Sequence, residues 1–231
     1  MKAFIFAAGS GTRLRPLTEH TPKCLLPIKG TPLLEIWLEN CKRAGITDVL
    51  VNAHAHAGQV RAFVASQTSG VRVHLAEEKE LLGSAGTLAE NRRFVAAEKD
   101  FYVLYGDVLT NVDLTDLLSF HRERGCVATL GVYEVPDPRR CGIMELEQDG
   151  MVRSFVEKPE HPRSNLAFAG LMVCGQEIFD FLPDARPADI GFHVLPKLVG
   201  RMAALHLRGY VLDIGTMENY SAAQAGWPGL C

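Results

Sequence analysis

The strongest constraint on the fold is a short apolar run that leads directly into a loop rich in glycine. Residues 3–6 read AFIF without alternation, which is typical of a strand buried on both faces of a parallel sheet. Gly9 and Gly11 follow the run, and Arg13 and Lys23 come after them. Glycines let successive backbone N–H groups wrap around an anion, and the basic side chains favour a phosphate-bearing ligand. From the glycines alone, a solvated turn is an equally good interpretation.

Two familiar glycine loops are excluded by their spacing. A Walker loop requires a Gly-Lys-Ser/Thr ending, whereas residues 9–13 read GSGTR. The dinucleotide fingerprint requires glycine at position 14, which is Leu14. A dinucleotide-dependent oxidoreductase therefore does not fit this chain.

Length, charge and cysteine usage narrow the class of protein. The 231 residues suit a single domain spanning 1–231, and the net charge of −3 leaves no basic footprint for nucleic acid. The apolar N-terminus is too short for a signal peptide, and no apolar run reaches membrane length, so we expect a cytoplasmic protein without a membrane partner. The six cysteines form no Cys-x-x-Cys pair, which argues against a zinc site and against disulfides.

Strand patterns alternate with helix patterns along the chain. This alternation predicts an α/β fold with a Rossmann-like, doubly wound, mixed but mostly parallel sheet, in which ligands bind at the carboxyl ends of the strands. The Asp149-Gly150 pair predicts a hairpin between strands at 143–147 and 151–157. Helices are predicted from Thr31-Pro32 to Gly45, around 60–64, from a capping box at Thr87 and Glu90, over 114–125 and 176–182, and over 218–225. A further helix is predicted within 194–199, where Pro196 limits it to a start after that residue. The other predicted strands are 48–52, 71–76, 101–105, 126–135, 202–207 and 210–212.

Taken as a whole, the loop resembles the signature of a known family. Residues 9–14 (GSGTRL), 16–18 (PLT) and 22–27 (PKCLLP) resemble that of the sugar-1-phosphate nucleotidylyltransferases. The resemblance implies transfer of a nucleoside monophosphate from a nucleoside triphosphate to a sugar 1-phosphate, with release of pyrophosphate. It implies that Arg13 and Lys23 hold the triphosphate. The nucleotide-binding residues it implies are Ala8, Gly9, Gly11, Thr12, Arg13, Glu78, Gly83 and Ser84.

The resemblance extends to a segment that contacts the nucleobase in the family. Residues 82–86 read LGSAG, and the base-pairing position lies five residues before the first glycine, at Glu78. A carboxylate only accepts hydrogen bonds, so it fits a base that presents donors side by side. Guanine presents two adjacent donors, whereas uracil and thymine present one donor between two acceptors. We therefore expect GTP, with UTP or dTTP as alternatives and with Glu77 or Glu80 as other candidates for this contact. The run PLLEIWL at 32–38 also resembles the guanylyl members.

Two aspartates match the metal-binding positions of the family. Asp107 follows the strand at 101–105, where a metal bound to phosphates would be held. Asp213 begins the DIGT segment, in which Met217 stands where the family usually has proline. The resemblance implies that Asp107 and Asp213 bind Mg²⁺, and that Arg13, Lys23, Asp107 and Lys158 form the catalytic set.

The remaining motif residues match the sugar-phosphate side of the family site. Residues 157–159 read EKP, in which Lys158 would meet the phosphate and Glu157 the sugar hydroxyls. Gly142, Asn165 and Gly170 complete the implied sugar-phosphate site. The alternative for residues 157–159 is a surface Glu-Lys pair before a proline, which is common in any protein. Mannose 1-phosphate or a heptose 1-phosphate is the expected acceptor, and the sequence does not decide the sugar.

A different class of function remains open. A non-catalytic nucleotide-sugar sensor on the same fold would be expected to lose one of the charged motif residues, and this chain keeps them all. Many relatives carry a carboxyl-terminal β-helix of hexapeptide repeats, and no such repeat occurs here, so we expect no β-helix domain. The oligomeric state stays open, with a homodimer among the options.

Overall fold

The computed structural model describes residues 1–230. Its strands are β1 (Lys2–Phe6), β2 (Pro27–Ile28), β3 (Thr31–Pro32), β4 (Asp48–Ala53), β5 (Arg72–Glu77), β6 (Asp100–Tyr105), β7 (Val108–Thr110), β8 (Ala128–Glu134), β9 (Gly142–Leu146), β10 (Val152–Glu157), β11 (Leu166–Gly175), β12 (Met202–His206) and β13 (Val211–Asp213). Its α-helices are α1 (Leu33–Arg43), α2 (Ala57–Ser66), α3 (Ser84–Glu90), α4 (Leu114–Arg124), α5 (Ile190–His193) and α6 (Met217–Gly226).

The chain forms two compact units. The first comprises Met1–Leu81, Leu104–Leu114 and the residues from Arg208 onward, and the second comprises Leu82–Val103 and Thr115–Leu207.

The first unit is built on the parallel strands β1, β4 and β5. Phe4 pairs with Leu50, and Leu50 pairs with His74, so β4 lies between the other two. Every residue of β4 is buried, whereas β5 is partly exposed along its length. A strand with neighbours on both sides and cover on both faces needs a nearly continuous apolar sequence, which explains the unalternating pattern of β1 and β4.

Helix α1 and a short antiparallel ribbon complete the first unit. Leu34, Trp37 and Leu38 are buried along one face of α1, as the helical spacing predicts. The helix begins at Leu33, one residue later than predicted, because Pro32 pairs with Pro27 in the β2–β3 ribbon. A second antiparallel ribbon joins β13 to β7.

The second unit contains a mainly antiparallel set of strands. They are ordered β10, β9, β11, β8 and β12, in which β12 runs parallel to β8 and the other pairs are antiparallel. The predicted hairpin around Asp149 and Gly150 is confirmed, and Gly150 has φ +86. The register of β11 shifts between Phe168 and Met172, and Gly170 at this bulge has φ +73.

Three helix predictions in the second unit are wrong in their bounds or type. Helix α3 begins at Ser84 rather than at Thr87, because Ala85 and Gly86 both donate their N–H groups to the carbonyl of Ala188 and thereby satisfy the first turn. Residues 176–181 form a 3-10 helix, and the predicted helix at 194–199 is a 3-10 turn over Leu195–Leu198. Helix α5, which precedes that turn, is not predicted from the sequence.

The α/β class with a mixed sheet is confirmed, while the assignment of 1–231 to a single nucleotidylyltransferase domain stays a prediction. The five cysteines that the structure describes are all free thiols, and Cys231 lies outside the described residues. Within residues 1–230, no helix is both long enough and apolar enough to cross a membrane. Helix α6 begins at Met217, one residue earlier than predicted.

Candidate functional site

A cavity of about 210 Å³ lies at the glycine-rich loop of the first unit. Its lining contains Gly9, Gly11, Thr12 and Arg13 from the predicted nucleotide-binding set, together with the predicted catalytic residues Lys23 and Asp107. Ala8, which belongs to the same predicted set, is buried. The other lining residues are Phe6, Ala7, Ser10, Cys24, Gly106 and Gly215. The loop, one metal-ligand candidate and both triphosphate-binding candidates therefore meet in one place.

The shape of this loop depends on two close approaches that require glycine. Gly11 has φ +63, and a Cβ at this position would lie 2.8 Å from Cγ2 of Thr18. The hydroxyl of Thr18 donates to the carbonyl of Gly11 at 2.8 Å, which holds the turn. Gly106 lies against β1, where its N–H donates to the carbonyl of Phe6 and a Cβ would lie 2.9 Å from that oxygen. A larger residue at position 11 would displace Thr18 within the loop, and one at position 106 would push its segment away from β1.

Asp107 and Asp213 converge because of the ribbon between β7 and β13. Asp213 pairs with Val108, and the N–H of Ile214 donates to the carbonyl of Asp107. The ammonium of Lys23 lies 2.8 Å from Oδ2 of Asp107 and 3.8 Å from Oδ1 of Asp213. Lys23 is 8 % exposed, so this charge is held away from bulk water by its two carboxylate neighbours.

Gly215 belongs to this charge cluster, although the sequence analysis gives it no role. A Cβ at Gly215 would lie 2.7 Å from Oδ1 of Asp213, 2.9 Å from Nη2 of Arg13 and 3.2 Å from Nζ of Lys23. The N–H of Gly215 also donates to Asp213 at 2.6 Å. The glycine of the DIGT motif therefore leaves the space that the charged groups occupy. Its position in that motif, two residues after Asp213, could have indicated this role from the sequence.

The electrostatics of the cluster suit a cation. Burial, followed by the negative charge of Asp107, raises the pKa of the Asp213 carboxyl, and Lys23 opposes this rise. Two carboxylates that repel one another in this way would both gain from a bound cation. Among residues 1–230, no group of three or more His, Cys, Asp or Glu side chains is placed to hold a metal ion. A two-carboxylate set fits Mg²⁺, which commonly takes one or two protein carboxylates and completes its shell with phosphate oxygens and water.

Glu78, the predicted base-pairing residue, follows β5 in the first unit. Its Oε1 accepts a hydrogen bond from Nδ2 of Asn52 at 2.8 Å. The neighbouring Glu77 is engaged differently, because both of its oxygens accept hydrogen bonds from Arg61 on the exposed surface. The side chain of Glu78 thus contacts the carboxyl end of β4, whereas the side chain of Glu77 turns to Arg61.

Gly83 and Ser84 lie in the second unit, where they contact the segment 188–190. Gly83 has φ +74, and a Cβ there would collide with the backbone carbonyl of Ala188. The hydroxyl of Ser84 donates to Oδ2 of Asp189 at 2.9 Å and accepts the N–H of Ile190 at 2.8 Å. The LGSAG segment is therefore held in shape by residues about a hundred positions later in the chain.

Glu157 occupies a narrow slot between two glycines of the second unit. It pairs with Gly142 across the β9–β10 hairpin, and a Cβ on Gly142 would lie 2.6 Å from its Oε2. A Cβ on Gly191 would lie 2.5 Å from the same oxygen. Burial raises the pKa of the Glu157 carboxyl, Lys158 opposes the rise, and the charge of Asp189 adds to it. Gly191 and Asp189 are residues of this site that the sequence motifs do not reveal.

Lys158 stands at the exposed edge of this slot. Its Nζ lies 3.9 Å from Oε1 of Glu157 and 5.3 Å from the ring centroid of Phe192. The backbone of Lys158 is left-handed, with φ +50, and its N–H donates to the carbonyl of Cys141. Phe192 is 51 % exposed, so its ring is accessible beside the ammonium of Lys158.

Asn165 and Gly170, the other two residues of the predicted sugar-phosphate set, also lie in the second unit. Asn165 is exposed, and its carbonyl accepts the N–H of Val135. Gly170 forms the bulge of β11. The predicted residues are thus divided between the two units, with Gly83, Ser84 and the sugar-phosphate set in the second.

Comparison with known proteins agrees with the motifs. The sequence profile of the nucleotidyl transferase family matches residues 2–227. The chain is 32 % identical over 226 residues to mannose-1-phosphate guanyltransferase beta-A of Xenopus laevis, covering 95 % of this chain and 62 % of the relative. It is also 32 % identical over 244 residues to the UTP–glucose-1-phosphate uridylyltransferase of Synechocystis, covering 98 % of this chain and 63 % of that protein.

A solved structure has the same fold. The protein is a proposed glucose-1-phosphate thymidylyltransferase of Bacillus anthracis in complex with a sucrose, with a TM-score of 0.88 and 26 % sequence identity. The alignment covers 97 % of this chain and 94 % of the other. The chain spans somewhat under two thirds of the length of the two curated relatives described above.

Proposed function

Because the chain belongs to the nucleotidyl transferase family, we propose that it transfers a nucleoside monophosphate from a nucleoside triphosphate to a sugar 1-phosphate. The observation that carries this proposal is the cluster of Arg13, Lys23, Asp107 and Asp213 around the glycine-rich loop. It combines two cations with two carboxylates and a loop of backbone N–H groups, which is the set of groups needed to bind a triphosphate together with a metal. The three similar proteins described above support the proposal, because each is named as a guanylyl, uridylyl or thymidylyl transferase for a sugar 1-phosphate.

The reaction requires no nucleophile from the protein. An oxygen of the sugar phosphate forms a bond to the α-phosphorus, and the bond from that phosphorus to the bridging oxygen of pyrophosphate breaks. Catalysis of such a step consists of alignment and of stabilising concentrated negative charge. Arg13 and Lys23 would neutralise the departing pyrophosphate, and Lys158 would bind the phosphate of the sugar.

Asp107 and Asp213 would hold Mg²⁺. When bound, the ion would supply positive charge to the phosphate oxygens of both reactants. Lys23, which contacts both aspartates in this structure, would then turn its charge toward the triphosphate. The two carboxylates would position the ion beside the glycine-rich loop.

GTP is the nucleotide that we propose. Glu78 offers two acceptor oxygens, which match the adjacent N1–H and 2-amino donors of guanine. The guanylyl relative supports this choice, whereas the uridylyl relative at the same identity favours UTP as the alternative. For the acceptor we propose mannose 1-phosphate or a heptose 1-phosphate, whose hydroxyl groups would meet Glu157.

The test is the release of pyrophosphate by the purified protein with Mg²⁺. Each of GTP, UTP, dTTP, CTP and ATP is paired with mannose, glucose and heptose 1-phosphates. We expect turnover with GTP and with mannose or heptose 1-phosphate. Preference for UTP or dTTP would retain the reaction and overturn the base assignment, and binding of a nucleotide sugar without any turnover would favour a sensor. Omission of Mg²⁺ in the presence of EDTA tests the metal.

A further inference from the structure

Asn52 is a buried polar residue in a strand that is otherwise apolar at its carboxyl end. It lies in β4, where it pairs with Phe6 on one side and with Ala76 on the other, and it is 4 % exposed. Its Oδ1 accepts the N–H of Ala7 at 2.7 Å, and its Nδ2 donates to Oε1 of Glu78 at 2.8 Å. One amide therefore joins Ala7, the first residue after β1 at the start of the glycine-rich loop, to the carboxylate proposed to contact the base.

These two partners determine the orientation of the amide. Ala7 presents a donor and Glu78 presents an acceptor, so the amide oxygen must face Ala7 and the amide nitrogen must face Glu78. Rotation by half a turn would place two donors together at one end and two acceptors together at the other. A buried amide pays a desolvation cost unless both ends are satisfied, so this orientation is strongly preferred.

The backbone of Glu78 is held by the next two residues of the same strand end. Its N–H donates to the carbonyl of Ala53 at 2.8 Å, and its carbonyl lies 2.9 Å from Nδ1 of His54. Residues 52–54 thus fix both the main chain and the side chain of Glu78. A carboxylate held at one oxygen by an amide keeps further acceptor capacity, because each oxygen can accept two hydrogen bonds.

We infer that Asn52 is a positioning residue for base selection. It orients the Glu78 carboxylate and connects it to the start of the glycine-rich loop. This inference rests on the proposed function, in which Glu78 accepts hydrogen bonds from guanine. Asn52 itself donates its amide to Glu78 and need not contact the nucleotide. Its removal would leave the carboxylate in place but with a wider range of orientations.

The test compares the affinities of GTP and ITP, measured by calorimetry. Inosine lacks the 2-amino group of guanine, so the affinity ratio reports the hydrogen bond between that group and the carboxylate. We expect wild-type protein to prefer GTP by about tenfold or more, as for a hydrogen bond to a charged group. In Asn52→Ala this preference should fall by about fivefold or more. Asn40→Ala is the matched control, because Asn40 is equally buried in the same unit and donates to the carbonyl of Val112.

Two further variants separate positioning from a general loss of structure. Asn52→Ser keeps a small hydroxyl that can satisfy one neighbour, and we expect an intermediate ratio of affinities if Asn52→Ala does not fold. In a Glu78→Ala background, Asn52→Ala should change the ratio no further, because its effect passes through Glu78. An unchanged ratio in both Asn52 variants, with a lowered ratio in Glu78→Ala, would overturn the inference.

The failure of the inference differs from the failure of the proposed function. Turnover of GTP by wild-type protein together with an unchanged GTP to ITP ratio in the Asn52 variants would overturn the inference alone. Tighter binding and turnover of UTP would overturn the guanine assignment and the inference while retaining the reaction. Binding of GTP without turnover on any sugar phosphate would overturn the proposed function, and the affinity ratios would still decide the role of Asn52.

Discussion

The two units hold their acidic side chains in opposite ways. In the first unit, Asp107 and Asp213 gather around the ammonium of Lys23, and the cluster is defined by charge. In the second unit, Glu157 fits between Gly142 and Gly191, and the site is defined by shape. The difference teaches that exchange of a charged residue should damage the first site most, whereas a methyl group added at Gly191, beside Glu157, should damage the second.

Asp107→Asn is the substitution with the largest expected effect. It removes one of the two carboxylates from the charge cluster while preserving size, so metal and triphosphate would no longer be held together. We expect kcat to fall by about a hundredfold or more, because a metal contributes several kcal/mol of charge stabilisation. The measurement is steady-state pyrophosphate release, with circular dichroism to verify the fold.

Asp116→Asn is the control for this substitution, because Asp116 is exposed in the first turn of α4. It should keep near-normal kcat. Near-normal kcat in Asp107→Asn as well would remove Asp107 from the metal site and would break the description of the first site as a charge cluster.

Gly191→Ala tests the site in the second unit by adding one methyl group. The new Cβ would lie 2.5 Å from Oε2 of Glu157 and 3.1 Å from Oδ1 of Asp189, so the Glu157 carboxylate must move. We expect the KM for sugar 1-phosphate to rise by about tenfold, the equivalent of one hydrogen bond to a charged group, and the KM for nucleotide to stay unchanged.

Gly175→Ala is the matched control in the same unit. The Gly175 backbone is extended, with φ −84, and a Cβ there would meet its nearest neighbour at the ordinary distance of 3.9 Å. An equal rise in the KM for nucleotide in Gly191→Ala would show a general disturbance and would contradict a site defined by shape.

These two sites also differ in how far they follow from the sequence. The residues of the charge cluster stand in contiguous motifs, and the strands before them are apolar runs, so residue type and order predict the cluster. The slot around Glu157 depends on Asp189 and Gly191, which lie in a segment without a motif and approach through tertiary contacts. The same segment shifts the start of α3 from Thr87 to Ser84. Propensity cannot anticipate a hydrogen-bond acceptor supplied from a hundred residues away.

Glu157→Gln tests whether burial of the Glu157 carboxylate in the slot lowers the free energy of unfolding. Burial raises the pKa of Glu157, so the folded protein retains this proton to a higher pH than the unfolded chain does. The free energy of unfolding of wild-type protein therefore falls as pH rises from the ordinary range of glutamate through the raised pKa. Glutamine does not ionise, so we expect the variant to be more stable than wild type at pH 7, with a smaller advantage at pH 4.

Urea denaturation at the two pH values measures this difference. Glu147→Gln is the control, because Glu147 is exposed on the same hairpin, and its effect should be small at both pH values. A stability difference between Glu157→Gln and wild type that is the same at pH 4 and at pH 7 would show that the gain does not arise from the buried charge.

Met217→Pro has the smallest expected effect and tests whether the first site tolerates changes to its scaffold. Met217 is the first residue of α6, where an N–H has no acceptor within the helix, and Thr216 before it is extended, with φ −127 and ψ 157. The cap is kept, because the hydroxyl of Thr216 accepts the N–H of Asn219. Proline at such a position should raise the free energy of unfolding by about 0.5 kcal/mol, because it restricts the conformations of the unfolded chain. Unchanged kcat would show that the charge cluster depends on its charged residues rather than on this neighbour, and a large loss of kcat would show that the backbone after Asp213 is as restrictive as the slot around Glu157.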